Sequence, residues 1–157
     1  MKAYIGIDNG VSGTIAILTD NDTIFVKTPV KKEQDYTKAK KIITRVDVSA
    51  LKELLEPFAN DAFILLERPL VNPNRFAATA SALRCHEAEL TVIEMLGIPF
   101  QFIDSKEWQK ALLPKGCNDT KKASLDIGNR LFPQFREFKH PDRDALLIAE
   151  YAKRRNF

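Results

Sequence analysis

The sequence predicts an α/β fold in which helices flank a five-stranded mixed sheet whose first three strands are antiparallel. Two observations carry this prediction. Three short β-rich runs with tight turns open the chain, and the later apolar runs alternate with segments of helical spacing. Strands that pair early and then alternate with helices are typical of a mixed α/β sheet. At 157 residues the chain is expected to form one domain, with bounds 1–157.

The first three strands are expected at the β-rich runs Ala3–Asp8, Thr14–Leu18 and Thr23–Thr28. Asn9-Gly10 separates the first two, and the polar turn Asp20-Asn21-Asp22 separates the second and third. Such dipeptides and turns favour tight reversals, so these strands are predicted to form an antiparallel meander.

The rest of the chain begins with a polar, weakly patterned stretch, Lys31 to Val46, which we expect to be mobile or to face a partner. Apolar spacing then predicts helices at Asp47–Phe58, Asn74–Leu96, Ser105–Leu112, Asn118–Leu131 and about Pro141–Arg155. Two apolar runs between them, Phe63–Leu66 and Phe100–Ile103, predict the remaining strands. Gly97 is placed to end the long second helix.

Several classes of protein are disfavoured by composition. No run approaches the roughly 20 apolar residues that a membrane helix needs. The start, MKAYIGIDNG, lacks the apolar region and cleavage site of a signal peptide, so an intracellular, cytoplasmic location without membrane contact is expected. With Cys85, Cys117 and two histidines, a disulfide framework or a four-ligand zinc site is not expected.

Basic residues are clustered although the formal net charge is only +3. The clusters comprise Lys27, Lys31, Lys32, Lys38, Lys40, Lys41 and Arg45; Lys106, Lys110, Lys115, Lys121 and Lys122; and Lys153, Arg154 and Arg155. This distribution suits a protein that contacts phosphate on one face, and it equally suits lysines that keep a surface soluble. Charge alone leaves both interpretations open.

Three carboxylates stand where secondary structure elements begin or end. Asp8 closes the first strand, Glu67 follows the apolar run FILL, and Asp144 begins the final helical pattern. If the two strands are adjacent and parallel, their carboxyl ends meet at one edge of the sheet. Carboxylates that converge there raise each other's pKa unless a cation binds them, and oxygen ligands suit Mg²⁺ or Mn²⁺. Two such ions about 3.5–4 Å apart would support phosphodiester hydrolysis. A solvated acid or a helix cap is the alternative for each residue alone.

The segments that carry these acids resemble a known family. IGIDNGVSGTIAIL, FILLERP and HPDRDALLIAEYA resemble the first, second and last motifs of the RuvC-type Holliday junction resolvases. The connecting segments NPNRFAATASALRCHEAEL, IPFQFIDSKEWQKALLPKG and DTKKASLDIGNRLFP resemble the phage and plastid branch of that family. The resemblance therefore covers nearly the whole chain.

This resemblance implies a ribonuclease-H-like fold and a homodimer that resolves four-way DNA junctions by paired, symmetric, Mg²⁺-dependent nicks. It also implies that Asp8, Glu67 and Asp144 are catalytic metal ligands, that two ions are held in each active site, and that the helix from Asn74 supplies much of the dimer interface. Recombination and repair of phage DNA are the expected setting. Mn²⁺ is expected to substitute for Mg²⁺.

The fourth ligand is a departure from the family pattern, which places an Asp or His three residues before the last aspartate. That position is Pro141, and the candidates are Asp142 and His140. Pro141 fits the first helical position, which makes His140 the N-cap and puts Asp142 in the first turn. Helix geometry favours His140, whereas ligand chemistry favours Asp142, and we select Asp142 with His140 as the alternative.

Lysines near a helix start are the candidates for DNA contact. Lys115, Lys121 and Lys122 surround the predicted N-terminus at Asn118 or Asp119, a natural position for phosphate. Lys106 and Arg75 are weaker candidates. A solvated helix start is the alternative for each.

Two aromatic residues invite a base-stacking interpretation. Trp108 has helical spacing with Leu112 and is predicted to lie in the core or an interface. Phe76 follows a turn near the inferred active edge, and a stacking or wedging role is a hypothesis for it.

Two other function classes remain. A nuclease of the same fold that cuts other branched DNA or an RNA-containing duplex would have the same catalytic centre. An ATP-binding domain of the actin-like or sugar-kinase type shares the first motif, but it needs a second phosphate-binding turn and roughly twice this length, and neither is found here. A non-catalytic junction-binding protein is disfavoured because all three acids are present.

Overall fold

The computed structural model describes residues 2–157 and is built around a five-stranded mixed sheet. The strands of the chain are β1 Ala3–Ile7, β2 Thr14–Leu18, β3 Thr23–Lys27, β4 Val30–Gln34, β5 Ile42–Val46, β6 Ala62–Glu67 and β7 Phe100–Ile103. The α-helices are α1 Val48–Leu55, α2 Phe76–Leu96, α3 Ser105–Leu112, α4 Thr120–Leu131 and α5 Asp144–Arg155. Short 3-10 helices lie at Glu56–Asp61 and Pro133–Phe135.

The sheet has the order β3-β2-β1-β6-β7. The first three strands are antiparallel, whereas β1 pairs in parallel with β6 and β6 with β7. Ile7 lies opposite Leu66 in the β1–β6 register, so the residues that follow them, Asp8 and Glu67, meet at one edge. The predicted five-stranded mixed sheet and its antiparallel first three strands are confirmed.

Each face of the sheet is covered by a separate apolar layer. Side chains such as Tyr4 and Leu65 pack on one face with α5, whereas Ile5 and Ile64 pack on the other face with α1 and α2. This period-two alternation is what a sheet buried on both faces requires. Gly6 lets α5 approach closely, because a Cβ there would lie 2.2 Å from the carbonyl oxygen of Ala145. This close approach carries the start of α5 to the end of β1.

The stretch from Lys31 to Val46, where the sequence predicted no strands, forms an antiparallel hairpin of β4 and β5 apart from the main sheet, and its mobility or contact with a partner stays a prediction. Most residues of both strands are exposed or half-buried. Charged and apolar residues therefore do not alternate regularly along these strands. Only Val46 is buried, and it anchors the hairpin beside α1 and α2. A hairpin that is solvated on both faces has no amphipathic pattern, which is why the sequence did not predict it.

Helix starts also differ from the prediction. The second helix begins at Phe76 rather than at Asn74, because Asn72 exchanges hydrogen bonds with Thr79 and accepts from the amide of Asn74, which holds a turn. The first helix is capped by Asp47, and its last predicted turn is a 3-10 helix. Gly97 ends α2 in the left-handed conformation, φ 66°, as predicted. Across residues 2–157, no helix combines the length and the apolarity that a membrane span requires.

Candidate active site

Four carboxylates meet where the parallel strands end, and they are called the acid cluster: Asp8, Glu67, Asp142 and Asp144. Asp8 follows β1, Glu67 ends β6, and Asp144 is the first residue of α5. Ligand oxygens of Asp8, Asp142 and Asp144 lie within 4.8 Å of one another. Glu67 lies outside that three-residue group, yet its charge raises the pKa of both Asp8 and Asp144. All four acids that the sequence selected are therefore brought together.

Glu67 is held from behind by α3. Its Oε1 accepts hydrogen bonds from the Ser105 hydroxyl and from the indole Nε1 of Trp108, the latter at 3.2 Å. Trp108 is fully buried, which confirms the predicted core position. Two donors on one oxygen fix the side chain and leave its second oxygen for another partner.

Asp142 and Asp144 are fixed by neighbours in the chain and by α4. The Ser124 hydroxyl donates to Asp144, and Oδ1 of Asp142 accepts from the backbone amide of Asp144 at 3.2 Å. This local side-chain bond is a turn, and a turn competes with the helix. The predicted helix start at Pro141 is therefore wrong, because α5 begins at Asp144.

That correction changes the comparison of Asp142 with His140. Neither residue lies in the helix, so the helix geometry that favoured His140 does not apply. His140 is not the N-cap either, because that position is Arg143. The Nε2 of His140 lies 2.9 Å from the carbonyl oxygen of Ser12, and so this nitrogen donates. Asp142 is 2% exposed and shares the group with Asp8 and Asp144, whereas His140 connects the loop to Ser12.

Arg143 fastens the loop that carries these residues. Its guanidinium uses all five N–H groups at 2.8–3.1 Å, on the carbonyls of Phe135, Phe138, His140 and Asp142 and on Oδ1 of Asn129. The Arg143 side chain is 1% exposed and packs against Gly128. A Cβ at position 128 would lie 2.2 Å from the Cβ of Arg143, so only glycine fits there. Burial lowers the pKa of Arg143. The loop before α5 is thus ordered by one buried cation.

The acid cluster holds more negative charge than its surroundings compensate. Burial is the main cause that raises the pKa of Asp8 well above its usual range, followed by the charge of Glu67. Burial and then the charge of Asp142 raise the pKa of Asp144 to about 7. Carboxylates in this state need protons or a cation, and an all-oxygen set suits Mg²⁺ or Mn²⁺. Oδ1 of Asn9, beside them, is buried without a hydrogen-bond partner among residues 2–157.

The basic residues selected from the sequence divide into three groups. Lys121 reaches the acid cluster, with its Nζ 3.1 Å from Oδ2 of Asp142, and this hydrogen bond raises the pKa of Lys121. Lys106 and Lys115 line a separate recess of about 320 Å³ between α3 and the start of α4. Lys122 and Arg75 are exposed and have no contact with the acids in the described chain; the backbone amide of Lys122 serves the Asp119 cap.

An open recess of about 420 Å³ gives access to the acid cluster. Its wall is formed by small residues of α2, among them Ala78, Ser81 and Ala82, and by the Gly10 turn. Small side chains leave room for a large substrate beside Asp8. Phe76, at the start of the same helix, is 81% exposed, and its stacking role stays a hypothesis.

Sequence reasoning missed the residues that hold the acids in place. Ser105, Ser124 and Arg143 gave no signal, since a serine at a helix start or within a helix is ordinary and an arginine between two aspartates reads as a surface charge.

Comparison with known proteins agrees with the architecture. No protein-family model and no curated protein matches the sequence. Among solved structures, RuvC of T. thermophilus in complex with a Holliday junction substrate is similar, with a TM-score of 0.58, 13% identity, and coverage of 99% of this chain and 96% of that chain. A second structure of Thermus thermophilus RuvC has a TM-score of 0.53 and 15% identity, with coverage of 97% and 95%.

At this level of identity the likeness concerns the fold. The sheet order, the parallel β1–β6–β7 pairs and the helices on both faces extend over nearly the full length of both chains. The chain therefore has the ribonuclease-H-like fold of RuvC, with an acid cluster at the edge of its sheet.

Proposed function

We propose that the protein is a metal-dependent endonuclease that cuts four-way DNA junctions. The observation that carries the proposal is the acid cluster, in which three carboxylates offer oxygens within 4.8 Å of one another at the open edge of a RuvC-like fold. The solved neighbour with the higher TM-score was captured with a Holliday junction substrate. The sequence motifs that resemble RuvC-type resolvases contain the same acids.

In this proposal Asp8, Asp142 and Asp144 hold the divalent cation, and Glu67 completes the set. When bound, Mg²⁺ or Mn²⁺ supplies the positive charge that polarises a phosphodiester and an attacking water. Burial, followed by the charge of Asp142, raises the pKa of Asp144 to about 7, and a bound cation would stabilise the charged carboxylate. Two ions per site remain the expectation from the resemblance.

The remaining residues position these ligands or meet the substrate. Ser105 and Trp108 fix one oxygen of Glu67, which leaves the other for the cation. Lys121 keeps a 69% exposed side chain beside Asp142, where its ammonium can neutralise charge that develops on the phosphate. Lys106, Lys115, Lys122 and Arg75 are proposed to contact phosphates farther from the reaction.

Symmetric cutting of a junction requires two active sites, so the proposal includes a homodimer. The helix α2 is the proposed contact, as it carries exposed apolar residues along its length, including Leu83 and Met95. Each subunit would then cut one strand. Single-domain organisation and an intracellular site of action are part of the same proposal.

The test compares cutting of four labelled substrates in Mg²⁺ or Mn²⁺: a four-way junction, a three-way junction, a linear duplex and an RNA–DNA hybrid. Asp8→Asn keeps the shape of the side chain and removes its charge. Asp20→Asn, in the exposed turn at the opposite end of the sheet, is the matched control. We expect paired, symmetric nicks in the four-way junction for the wild type and for Asp20→Asn, and at least about a 100-fold loss for Asp8→Asn.

Other outcomes redirect or overturn the proposal. Preferential cutting of the hybrid or the three-way junction would keep the catalytic centre and change the substrate. Equal activity of Asp8→Asn and Asp20→Asn would remove the acid cluster from the reaction. No metal-dependent cutting of any substrate by the wild type would overturn the nuclease function.

A further inference from the structure

The hairpin Val30–Val46 carries a large positive charge that the proposed function has not used. It contains six basic residues and two acidic ones, a net charge of +4. The whole chain has a formal net charge of +3, so all other residues together carry −1. The net positive charge of the molecule therefore resides in the hairpin, and net charge of this sign attracts a polyanion.

Ion pairs within the hairpin neutralise only part of this positive charge. Glu33 binds Lys31 at 2.8 Å and Arg45 at 2.7 Å. The carboxylate of the other acid, Asp35, accepts from the amide and the hydroxyl of Thr37. Four lysines at the outer face and the tip have no ion-pair partner in the part of the chain that is described: Lys32, Lys38, Lys40 and Lys41.

The tip of the hairpin is a turn that backbone hydrogen bonds define. The amide of Asp35 donates to the carbonyl of Lys41 at 2.8 Å, and the amide of Lys40 donates to the carbonyl of Thr37 at 3.0 Å. Lys40 adopts the left-handed conformation, φ 50°, that this turn requires. At the summit, Tyr36 is 92% exposed. Exposed lysines beside an exposed aromatic ring form a surface suited to nucleic acid.

A continuous surface connects this tip to the acid cluster. A groove of about 350 Å³ between β5 and α2 shares Val11 and Ser81 with the recess beside Asp8. At its other end Arg45 and Arg84 line both this groove and the recess beside Tyr36. A nucleic acid that reaches the acids at one end therefore has a path toward the hairpin, with arginines along it.

We propose that the hairpin is a second DNA-binding surface, which holds a duplex arm of the branched substrate by its phosphate backbone. This inference rests on the proposed function for the identity of the substrate. Lys32, Lys38 and Lys41 contact the phosphates, and the arm enters along the groove between β5 and α2. Phosphate contacts of this kind add affinity and positioning without reading base sequence.

The test measures binding of a labelled four-way junction by fluorescence anisotropy in EDTA, at several salt concentrations. The hairpin variant is Lys32→Gln, Lys38→Gln and Lys41→Gln, which spares Lys40 because its backbone is left-handed. The control variant, Lys2→Gln, Lys52→Gln and Lys153→Gln, removes two exposed lysines and the half-buried Lys52, all outside the hairpin and the site.

We expect the hairpin variant to bind about tenfold or more weakly than the control variant at moderate salt. The slope of log affinity against log salt should fall by about 2 to 3, since each lysine on a phosphate contributes about one. A third variant with arginine at the same three positions should bind as the wild type does. Equal affinity and slope for the hairpin and control variants would overturn the proposal, as would an arginine variant as weak as the glutamine variant.

Failure of this proposal is distinguishable from failure of the nuclease function, because binding is measured without metal. If the wild type cuts junctions while the hairpin and control variants bind alike, only the role of the hairpin is overturned. If the wild type cuts nothing while the hairpin variant loses affinity and slope, the hairpin binds DNA and the nuclease function is overturned.

Discussion

The acid cluster and the hairpin are the two most highly charged regions of the molecule, and their charges are held in different ways. Glu67, Asp142 and Asp144 each receive hydrogen bonds from residues on other elements, and Arg143 orders the loop between them. The unpaired lysines of the hairpin instead extend into solvent from an exposed turn. A small cation requires ligands at fixed positions, whereas a phosphate backbone presents many equivalent anions. Fixed geometry is therefore needed at the acids and not at the lysines.

The largest effect is expected for Arg143→Met. This change leaves four buried carbonyls without their shared donor, and we expect it to lower the free energy of unfolding by about 3 kcal/mol or more. It should also raise the Mn²⁺ concentration needed for half-maximal cutting by about 10- to 100-fold, since Asp142 loses its ordered loop. Urea unfolding and metal titrations under single-turnover conditions measure the two effects.

The matched control for that variant is Arg154→Met, which removes an exposed arginine that pairs only with Glu150. Arg154→Met should change neither quantity. If Arg143→Met bound Mn²⁺ as the wild type does, the acids would be ordered without the guanidinium. That result would contradict the claim that Arg143 fixes the geometry of the acid cluster.

The next effect concerns pH and Glu89, a buried residue of α2. Burial raises the pKa of Glu89 from 4.5 to about 8, and burial raises that of Asp144 from 3.8 to about 7. Because the folded protein keeps protons that the unfolded chain releases, the free energy of unfolding in EDTA should fall as pH rises from about 5 to 8. Each such group contributes a slope of about 1.4 kcal/mol per pH unit.

Glu89→Gln removes one of these titrating protons, so the free energy of unfolding should depend less on pH over that range. The measurement is urea unfolding at several pH values between about 5 and 8. In this range Glu89 is protonated in the folded protein and ionised in the unfolded chain. Curves for Glu89→Gln and wild type that stay parallel across this range would show that Glu89 is not protonated in the folded protein.

A moderate effect is expected for Trp108→Phe. The ring keeps most of the core packing, but Oε1 of Glu67 loses one of its two donors. The Mn²⁺ concentration for half-maximal cutting should rise about tenfold, in the range typical for residues that orient a metal ligand. An unchanged metal dependence would mean that Ser105 alone positions Glu67.

The smallest effect is expected for Glu33→Gln in the hairpin. Its loss frees Lys31 and Arg45 and adds one positive charge to the hairpin. DNA affinity at low salt should rise by about threefold, because one more cation faces the phosphates. The thermal unfolding midpoint should not move, since these ion pairs are exposed. Weaker DNA binding by Glu33→Gln would indicate that Glu33 positions its two partners for the contact.

The two regions also differ in how far the sequence predicted them. Asp8, Glu67 and Asp144 were found because each follows or begins an element with a strong pattern, such as the buried run that ends at Glu67. The same reasoning predicted the five strands of the main sheet and the core position of Trp108.

The rest was hidden for physical reasons. The hairpin is exposed on both faces, so Lys31 to Val46 has no period that marks its strands. The start of α5 was placed too early because the turn at Asp142 depends on side-chain bonds from Arg143 and to the Asp144 amide. Arg143 is itself held by Asn129 of α4 and by the carbonyls of Phe135 and Phe138, and contacts with other segments are not visible in a local pattern. The assembly of the subunits stays a prediction.

The most direct test separates cutting from binding in one set of proteins: wild type, Asp8→Asn, and the hairpin variant Lys32→Gln, Lys38→Gln and Lys41→Gln. Binding of a four-way junction is measured in EDTA, and single-turnover cutting is measured in Mn²⁺ at saturating protein. We predict that Asp8→Asn binds at least as tightly as the wild type and does not cut. The hairpin variant should bind weakly and, once saturated, cut at the wild-type rate. Loss of binding by Asp8→Asn, or loss of the saturated cutting rate by the hairpin variant, would contradict the division of roles between the two regions.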